Sequence, residues 1–129
     1  MPTNILFLCV HNAGRSQMAA GFVRALNRPD IRVWSGGSEP RDSINAAAVT
    51  AMAELGIDIS RQIPQRWDAS DLDQADVIIT MGCGDTCPIV AGKRYEDWQL
   101  PDPAGQPLEF VRTVRDEIRT LVDALIETL

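Results

Sequence analysis

The chain has 129 residues, of which 45% are hydrophobic and 23% charged, with a formal net charge of -6 at pH 7. These values suit one soluble globular domain over residues 1–129, and with a single lysine and no basic cluster they argue against a nucleic-acid partner. No apolar run approaches membrane-spanning length and no secretory signal is visible, so we expect a cytoplasmic protein with no membrane partner.

The amino-terminal part of the chain predicts a strand, a loop and a helix. Residues 5–8 are apolar and predict a buried strand, and the spacing of apolar residues over 17–26 predicts a helix. Between them, residues 9–16 place a cysteine, five further residues, an arginine and a serine on a strand-to-helix turn. Because successive backbone N–H groups of such a turn point inward at the positive end of a helix, this loop predicts a cradle for an oxyanion.

Three side chains of the loop suit nucleophilic chemistry on a tetrahedral anion. Arg15 can hold two oxygens with its planar guanidinium, and the same positive field favours the thiolate form of Cys9. Ser16 can donate a hydrogen bond to that thiolate. A lone cysteine after a strand is more often a small buried hydrophobe, but the whole pattern in this context favours a nucleophile. The predicted anion-binding residues are Val10, His11, Asn12, Ala13, Gly14, Arg15 and Ser16.

Two polar side chains within the loop are expected to support it. His11 contributes its backbone N–H, and its ring is expected to turn toward solvent or a neighbouring loop rather than act as a general base. Asn12 is expected to brace the loop by hydrogen bonding to its own backbone.

The next segments predict a second strand and a second helix. Residues 31–35 alternate like a strand, and a pair of glycines is expected to end it. A helix is predicted over residues 45–55, with Ser43 or Asp42 as its N-cap.

The rest of the chain predicts two more strands and a long helix. A short helical turn is expected within residues 68–74, a central strand over 76–81 and an edge strand over 93–98. From residue 108 to 129, apolar residues recur on one helical face, while Arg115 and its charged neighbours fall largely on the other.

Strands that alternate with helices predict an α/β fold. We expect a single-domain, three-layer arrangement in which a four-stranded parallel sheet is flanked by helices. In such sheets ligands bind beyond the carboxyl ends of the strands, at the switch point. The loops that hold Cys9, Cys83 and Asp102 would all emerge at that edge, so three segments far apart in sequence converge there.

Asp102 is a candidate general acid. It lies between two prolines, which fix the backbone and can hold its carboxyl group over the anion cradle. A thiolate that attacks a tetrahedral oxyanion needs a proton for the departing oxygen, which a carboxylic acid can supply. The alternative is a turn-forming residue in a surface loop.

Cys83 and Cys87 have three readings. They could bind a metal, but the sequence has no second cysteine pair and only one histidine. Because a zinc site would lack ligands, the sequence predicts no metal site. They could form a redox pair, because residues four apart on one helical turn have Cα atoms at a workable distance for a disulfide. They could also be packed thiols behind the third strand.

These motifs together resemble a known family. Cys9, five residues, Arg15 and Ser16, with a later Asp102-Pro103, are similar to the low-molecular-weight protein tyrosine phosphatase fold, and most similar to its arsenate reductases. Further matching blocks lie at residues 12–19, 56–60, 102–105 and 114–118. The similarity runs over nearly the whole chain.

The resemblance implies reduction of arsenate to arsenite, as in arsenical detoxification. Cys9 would attack arsenic, Arg15 and the loop amides would hold the oxygens, and Asp102 would protonate the leaving hydroxide. A second thiol then reduces the adduct. In thioredoxin-coupled members this is a cysteine matching Cys83, and Cys87 would close a disulfide for thioredoxin to reduce.

Some features depart from that pattern. The spacing between Cys83 and Cys87 is shorter than in thioredoxin-coupled members. The block over residues 82–88 looks more like that of actinobacterial reductases, some of which use external mycothiol and mycoredoxin. No cofactor is then bound, and the reductant is either mycothiol with mycoredoxin or thioredoxin. Some relatives bind potassium through a glutamate in the first helix, where this chain has Ala20, so that site does not carry over.

The same residues leave two functions other than arsenate reduction open. A phosphomonoester or tyrosine phosphatase would use the same loop, since phosphate or sulfate fits where arsenate does, but Ala104 and Gly105 stand where tyrosine phosphatases have aromatic residues. A non-catalytic anion-binding module would not need Cys9. Nothing in the sequence shows a dimer interface, although the exposed faces leave room for a homodimer.

Overall fold

The computed structural model describes residues 2–82 and 92–129. Its elements, in chain order, are β1 (Thr3–Cys9), α1 (Arg15–Ala25), β2 (Ile31–Gly37), α2 (Ala46–Ala53), α3 (Ala69–Gln74), β3 (Val77–Thr80), β4 (Arg94–Asp97) and α4 (Leu108–Glu127). The predictions for Cys83 and Cys87 fall on residues outside this description.

The four strands form one parallel sheet in the order β2-β1-β3-β4. β1 pairs with β2 from Thr3↔Ile31 to Cys9↔Gly37, and with β3 on its other side. The predicted α/β fold is confirmed. Since the chain leaves β1 for β2 on one side and later returns to β3 on the other, the switch point lies at the carboxyl end of β1.

Both faces of the sheet are covered, as the apolar run of β1 requires. Ile5 and Phe7 belong to the larger core, which α1, α2 and α4 cover. Leu6 and Leu8 face the opposite side, where Ile78 shares a smaller cluster with them. The alternation of β1 thus divides the core into two layers of unequal size.

Two predicted boundaries around β2 and α2 were wrong. The glycine pair does not end β2, because Gly36 and Gly37 still pair with Leu8 and Cys9. The N-cap of α2 is Asn45, whose side chain accepts a hydrogen bond from the backbone N–H of residue 47 at 2.9 Å, rather than Ser43 or Asp42. The backbone N–H of Asn45 also donates to the carbonyl of residue 13, so a tertiary contact fixes where the helix begins.

The longest helix, α4, is amphipathic as predicted, with one exception. Arg115 is only 8% exposed and lies on the buried side. Its guanidinium donates to the carbonyl of Ala51 and to Glu54 Oε1, both at 2.8 Å, at the carboxyl end of α2. These acceptors compensate the burial of the charge. Within the two described ranges, no helix is both long and apolar enough to cross a membrane.

Candidate active site

The loop between β1 and α1 is bound from outside by the segment that follows β2. Cys9 is the last residue of β1 and Arg15 the first of α1. The carbonyl oxygen of Val10 accepts the backbone N–H of Glu39 at 2.8 Å. In the same way, His11 accepts from Arg41 at 3.0 Å and Ala13 accepts from Asn45 at 2.8 Å. Carbonyl groups held in this way point away from the cavity, which leaves the loop N–H groups for an anion.

The sulfur of Cys9 receives two hydrogen bonds in a buried position. Cys9 is 2% exposed, and its Sγ accepts the backbone N–H of Asn12 at 3.2 Å. The Oγ of Ser16 lies 2.8 Å from the sulfur and itself accepts the side-chain amide of Asn12 at 2.7 Å. Because Ser16 already accepts that bond, its own hydrogen is available for the sulfur. Both bonds direct a donor at the sulfur, close to the start of α1.

Asn12 braces the loop, but through a distant part of the chain rather than its own backbone. It has a φ of 49°, in the left-handed region. Its Oδ1 accepts the backbone N–H of Gln65 at 3.0 Å and Nε2 of Gln17 at 2.9 Å. These bonds compensate an uncommon backbone conformation. The expectation of a hydrogen bond to its own backbone was wrong, because the side chain bonds the side chains of Ser16 and Gln17 nearby and the backbone of Gln65, which lies 53 residues away.

Arg15 is held against the floor of the site. It is 7% exposed, its Nη1 donates to the carbonyl of Leu100 at 3.2 Å, and its Nη2 lies 3.9 Å from Asp102 Oδ2. Gly82, with a φ of 74°, packs directly on the guanidinium, and a Cβ at that position would overlap Nη1. This contact was not predicted, although a glycine at the carboxyl end of β3 is a sequence signal for close packing there.

Asp102 lies at the mouth of the cavity. Its side chain is 51% exposed, and Oδ1 accepts the backbone N–H of Ala104 at 3.0 Å in a local turn. The neighbouring Pro103 approaches Gly14, since a Cβ on that glycine would lie 3.5 Å from Pro103 Cγ. The structure therefore brings Asp102 beside the loop of Cys9, as the topology predicted.

A cavity of about 650 Å³ joins these elements. Cys9 and Arg15 lie at its base and Asp102 on one wall. The cavity is also lined by Arg41, Asp42 and their neighbours up to Ala46, for which no sequence motif predicted a place in the site. This segment follows β2, which lies next to β1 in the sheet. That position was the signal that could have predicted its place beside the Cys9 loop.

The ring of His11 is turned toward a neighbouring loop, as expected. Its Nδ1 lies 3.0 Å from the carbonyl oxygen of Glu39, a contact in which the ring N–H donates. This contact holds the ring against the Glu39 segment. The predicted general acid, Asp102, lines the cavity.

Comparison with known proteins assigns this constellation to a family. The family described as "Low molecular weight phosphotyrosine protein phosphatase" matches residues 4–129. A relative described as "Glutaredoxin arsenate reductase" from Synechocystis is 42% identical over 125 residues, with 95% of each chain covered.

Solved structures give the same picture. One described as an arsenate reductase in the phosphate binding state has a TM-score of 0.83 and 38% identity, covering 98% of both chains. A thioredoxin-dependent arsenate reductase of Corynebacterium glutamicum has a TM-score of 0.81 and 33% identity, covering 99% of this chain and 64% of that longer one. A low-molecular-weight protein tyrosine phosphatase from T. tengcongensis has a TM-score of 0.84 and 29% identity, covering 98% of this chain and 99% of that one.

Proposed function

The chain belongs to the low-molecular-weight phosphotyrosine protein phosphatase family, and from this premise we propose that it reduces arsenate to arsenite. The observation that carries the proposal is the buried Cys9 sulfur, with two hydrogen-bond donors, at the base of a cavity that also holds Arg15 and Asp102. The identity to reductases over nearly the whole chain supports arsenate as the substrate.

The first step is nucleophilic substitution at arsenic. The Cys9 thiolate forms a sulfur–arsenic bond while one arsenic–oxygen bond breaks. The carboxyl group of Asp102 gives its proton to the departing oxygen, which leaves as water. Arg15 and the N–H groups of the loop from Val10 to Ser16 hold the remaining oxygens and the charge that develops on them, apart from the N–H of Asn12, which donates to the Cys9 sulfur.

The second step transfers two electrons. A second thiolate attacks the Cys9 sulfur of the adduct, so a sulfur–sulfur bond forms, the sulfur–arsenic bond breaks, and its electron pair stays on arsenic to give arsenite. Cys83 and Cys87 are one source of this thiol, with thioredoxin restoring the dithiol. Mycothiol with mycoredoxin is the other source. The thioredoxin-dependent relative supports an external thiol reductant in either case.

A single-turnover experiment tests both steps. Fully reduced protein is mixed with arsenate and no added thiol, and arsenite and intact protein mass are measured. About one equivalent of arsenite with a two-dalton loss indicates an internal disulfide through Cys83 and Cys87. Arsenite that appears only after mycothiol is added indicates an external partner. Cys9→Ser abolishes product in both conditions, and arsenite formation by this variant contradicts the assignment of the nucleophile.

Phosphomonoester hydrolysis is the second candidate, favoured by the phosphatase among the structural neighbours. Ala104 and Gly105 line the cavity and leave no aromatic wall for a phosphotyrosine ring. We therefore expect slow turnover of small aryl phosphates, independent of Cys83, Cys87 and any reductant. Aryl phosphate hydrolysis without arsenite formation under any thiol condition would identify a phosphatase instead.

A further inference from the structure

A continuous chain of side-chain hydrogen bonds runs from the surface to the nucleophile. Arg24 Nη1 donates to Gln62 Oε1 at 2.7 Å, and Gln62 Nε2 donates to Gln17 Oε1 at 2.6 Å. Gln17 Nε2 donates to Asn12 Oδ1 at 2.9 Å, and from there the bonds through Ser16 reach the sulfur. The roles of Arg24, Gln62 and Gln17 in the site are not explained by contact with a substrate, because none of them lines the cavity over Cys9.

Every amide in this chain has one permitted orientation. Arginine only donates, so Gln62 must turn its oxygen toward Arg24 and its nitrogen toward Gln17. Gln17 Nε2 is also within 3.0 Å of the carbonyl oxygen of Asn12, which only accepts, so this end of Gln17 must be the nitrogen. At the inner end, the backbone N–H of Gln65 fixes Asn12 Oδ1.

The common direction of these bonds matters for Cys9. With Asn12 oriented as it is, Ser16 receives the amide hydrogen and has its own hydrogen available for the sulfur. If Asn12 turned over, Ser16 would donate to the amide oxygen instead, and the sulfur would keep one donor. Aligned hydrogen bonds polarise one another, and the chain begins on a cation and ends on the group that must carry negative charge.

We propose that Arg24 and Gln62 are positioning residues for the Cys9 thiolate, acting through Gln17, Asn12 and Ser16. The proposal rests on the nucleophilic role proposed above for Cys9. Gln17 is 1% exposed and inside the protein, whereas Arg24 is at the surface, so the outer end of the chain can be altered without disturbing the core.

The experiment measures the rate of Cys9 alkylation by iodoacetamide as a function of pH. It uses a parent protein in which Cys83 and Cys87 are replaced by serine, so that Cys9 is the one cysteine left of the three in the sequence. Gln62→Glu places an acceptor against Gln17 Oε1 and interrupts the chain, and Arg24→Met removes its first donor. We expect alkylation at pH 7 to slow by about threefold and about twofold respectively, with each profile displaced to higher pH.

Two matched variants complete the test. Arg24→Lys keeps a donor and retains the parent profile. Arg28→Met removes a neighbouring surface arginine that pairs with Asp30 instead, and it also retains the parent profile. Profiles of Arg24→Met and Gln62→Glu that superimpose on those of the parent and Arg28→Met overturn the proposal. If Gln62→Glu does not fold, as judged by circular dichroism, Arg24→Met decides alone. Alkylation requires no arsenate, so this result is independent of whether the protein is a reductase.

Discussion

Gly82 combines two constraints in one residue. Its φ of 74° is strained for any residue with a side chain, and the space where a Cβ would lie is filled by the guanidinium of Arg15. Gly92 has a similar φ of 83°, but nothing lies within 4 Å of the position of its Cβ. The two glycines therefore separate backbone strain from displacement of Arg15.

We expect Gly82→Ala to lower kcat/KM for arsenate by about 10- to 100-fold, because a displaced Arg15 no longer fits the oxygens of the transition state. Steady-state kinetics measures the effect. Gly92→Ala is the matched control, which should lose a similar roughly 1 kcal/mol of stability and keep its activity. Equal losses of activity in the two variants would show that strain, rather than the contact with Arg15, is responsible.

Asp102 provides a second test at the level of one residue. Asp102→Asn keeps the size of the side chain but cannot give a proton, so we expect the rate of the first step to fall by about 100-fold or more. Rapid-quench measurement of adduct formation reports this step directly. The control is Asp123→Asn, on the exposed side of α4, which should react as the parent does. Unchanged adduct formation in Asp102→Asn would remove the residue from the acid role.

Among the elements, α2 and α4 are joined by an ionic cluster. Glu54, the C-cap of α2, accepts from Arg112 at 2.6 Å and from Arg115 at 2.8 Å. The hydrogen bond from Arg112, followed by that from Arg115, holds the pKa of Glu54 below its usual value despite partial desolvation, which acts in the opposite direction. The cluster therefore ties the stability of the helix pair to pH.

The sign of this dependence follows from the lowered pKa. The stabilising contribution of Glu54 is complete above the pKa of the unfolded chain and is lost as the pH falls through the lower pKa of the folded protein. We expect Glu54→Gln to reduce the Tm at pH 7, with the difference from the parent fading below about pH 4. Thermal unfolding across pH measures it. Glu117→Gln, at an exposed glutamate of α4, should show no such convergence. A Tm difference that is constant with pH would contradict the ionic origin.

The same elements show what could be predicted from sequence. Apolar patterns predicted the four strands and the three longer helices. The short α3 has no buried face and was expected only as a helical turn, and the structure shows that a capping box between Asp68 and Asp71 begins it. Arg115 was misjudged because its partner Glu54 lies 61 residues away, and one of the bonds that hold Asn12 comes from Gln65, which lies 53 residues away. Local patterns carry no information on such contacts, and only the tertiary structure determines them.

For the whole molecule, the net charge of -6 disfavours the approach of an anion, so anion binding depends on the groups of the site itself. Since residues from three separate segments of the chain surround the cavity, a bound anion should stabilise the entire fold. We expect phosphate at about 100 times its Kd to add about 2.7 kcal/mol to the free energy of unfolding.

Denaturant unfolding with and without phosphate measures this stabilisation. Arg15→Ala should lose most of it, while Arg28→Ala should retain it and so corrects for the general effect of phosphate as a salt. Equal stabilisation of the two variants would mean that phosphate does not act through this loop.

The ties between the Cys9 loop and the segment after β2 have an evolutionary consequence. These hydrogen bonds are donated by the backbone N–H groups of residues 39, 41 and 45. They therefore form with any side chain at these positions except proline, which has no backbone N–H. Arg41 and Asp42 meanwhile line the cavity. Substitutions at these two positions can therefore change which substrates enter the cavity while the anion-binding loop keeps its structure. In this way one fold can acquire new substrates and retain the same reaction chemistry.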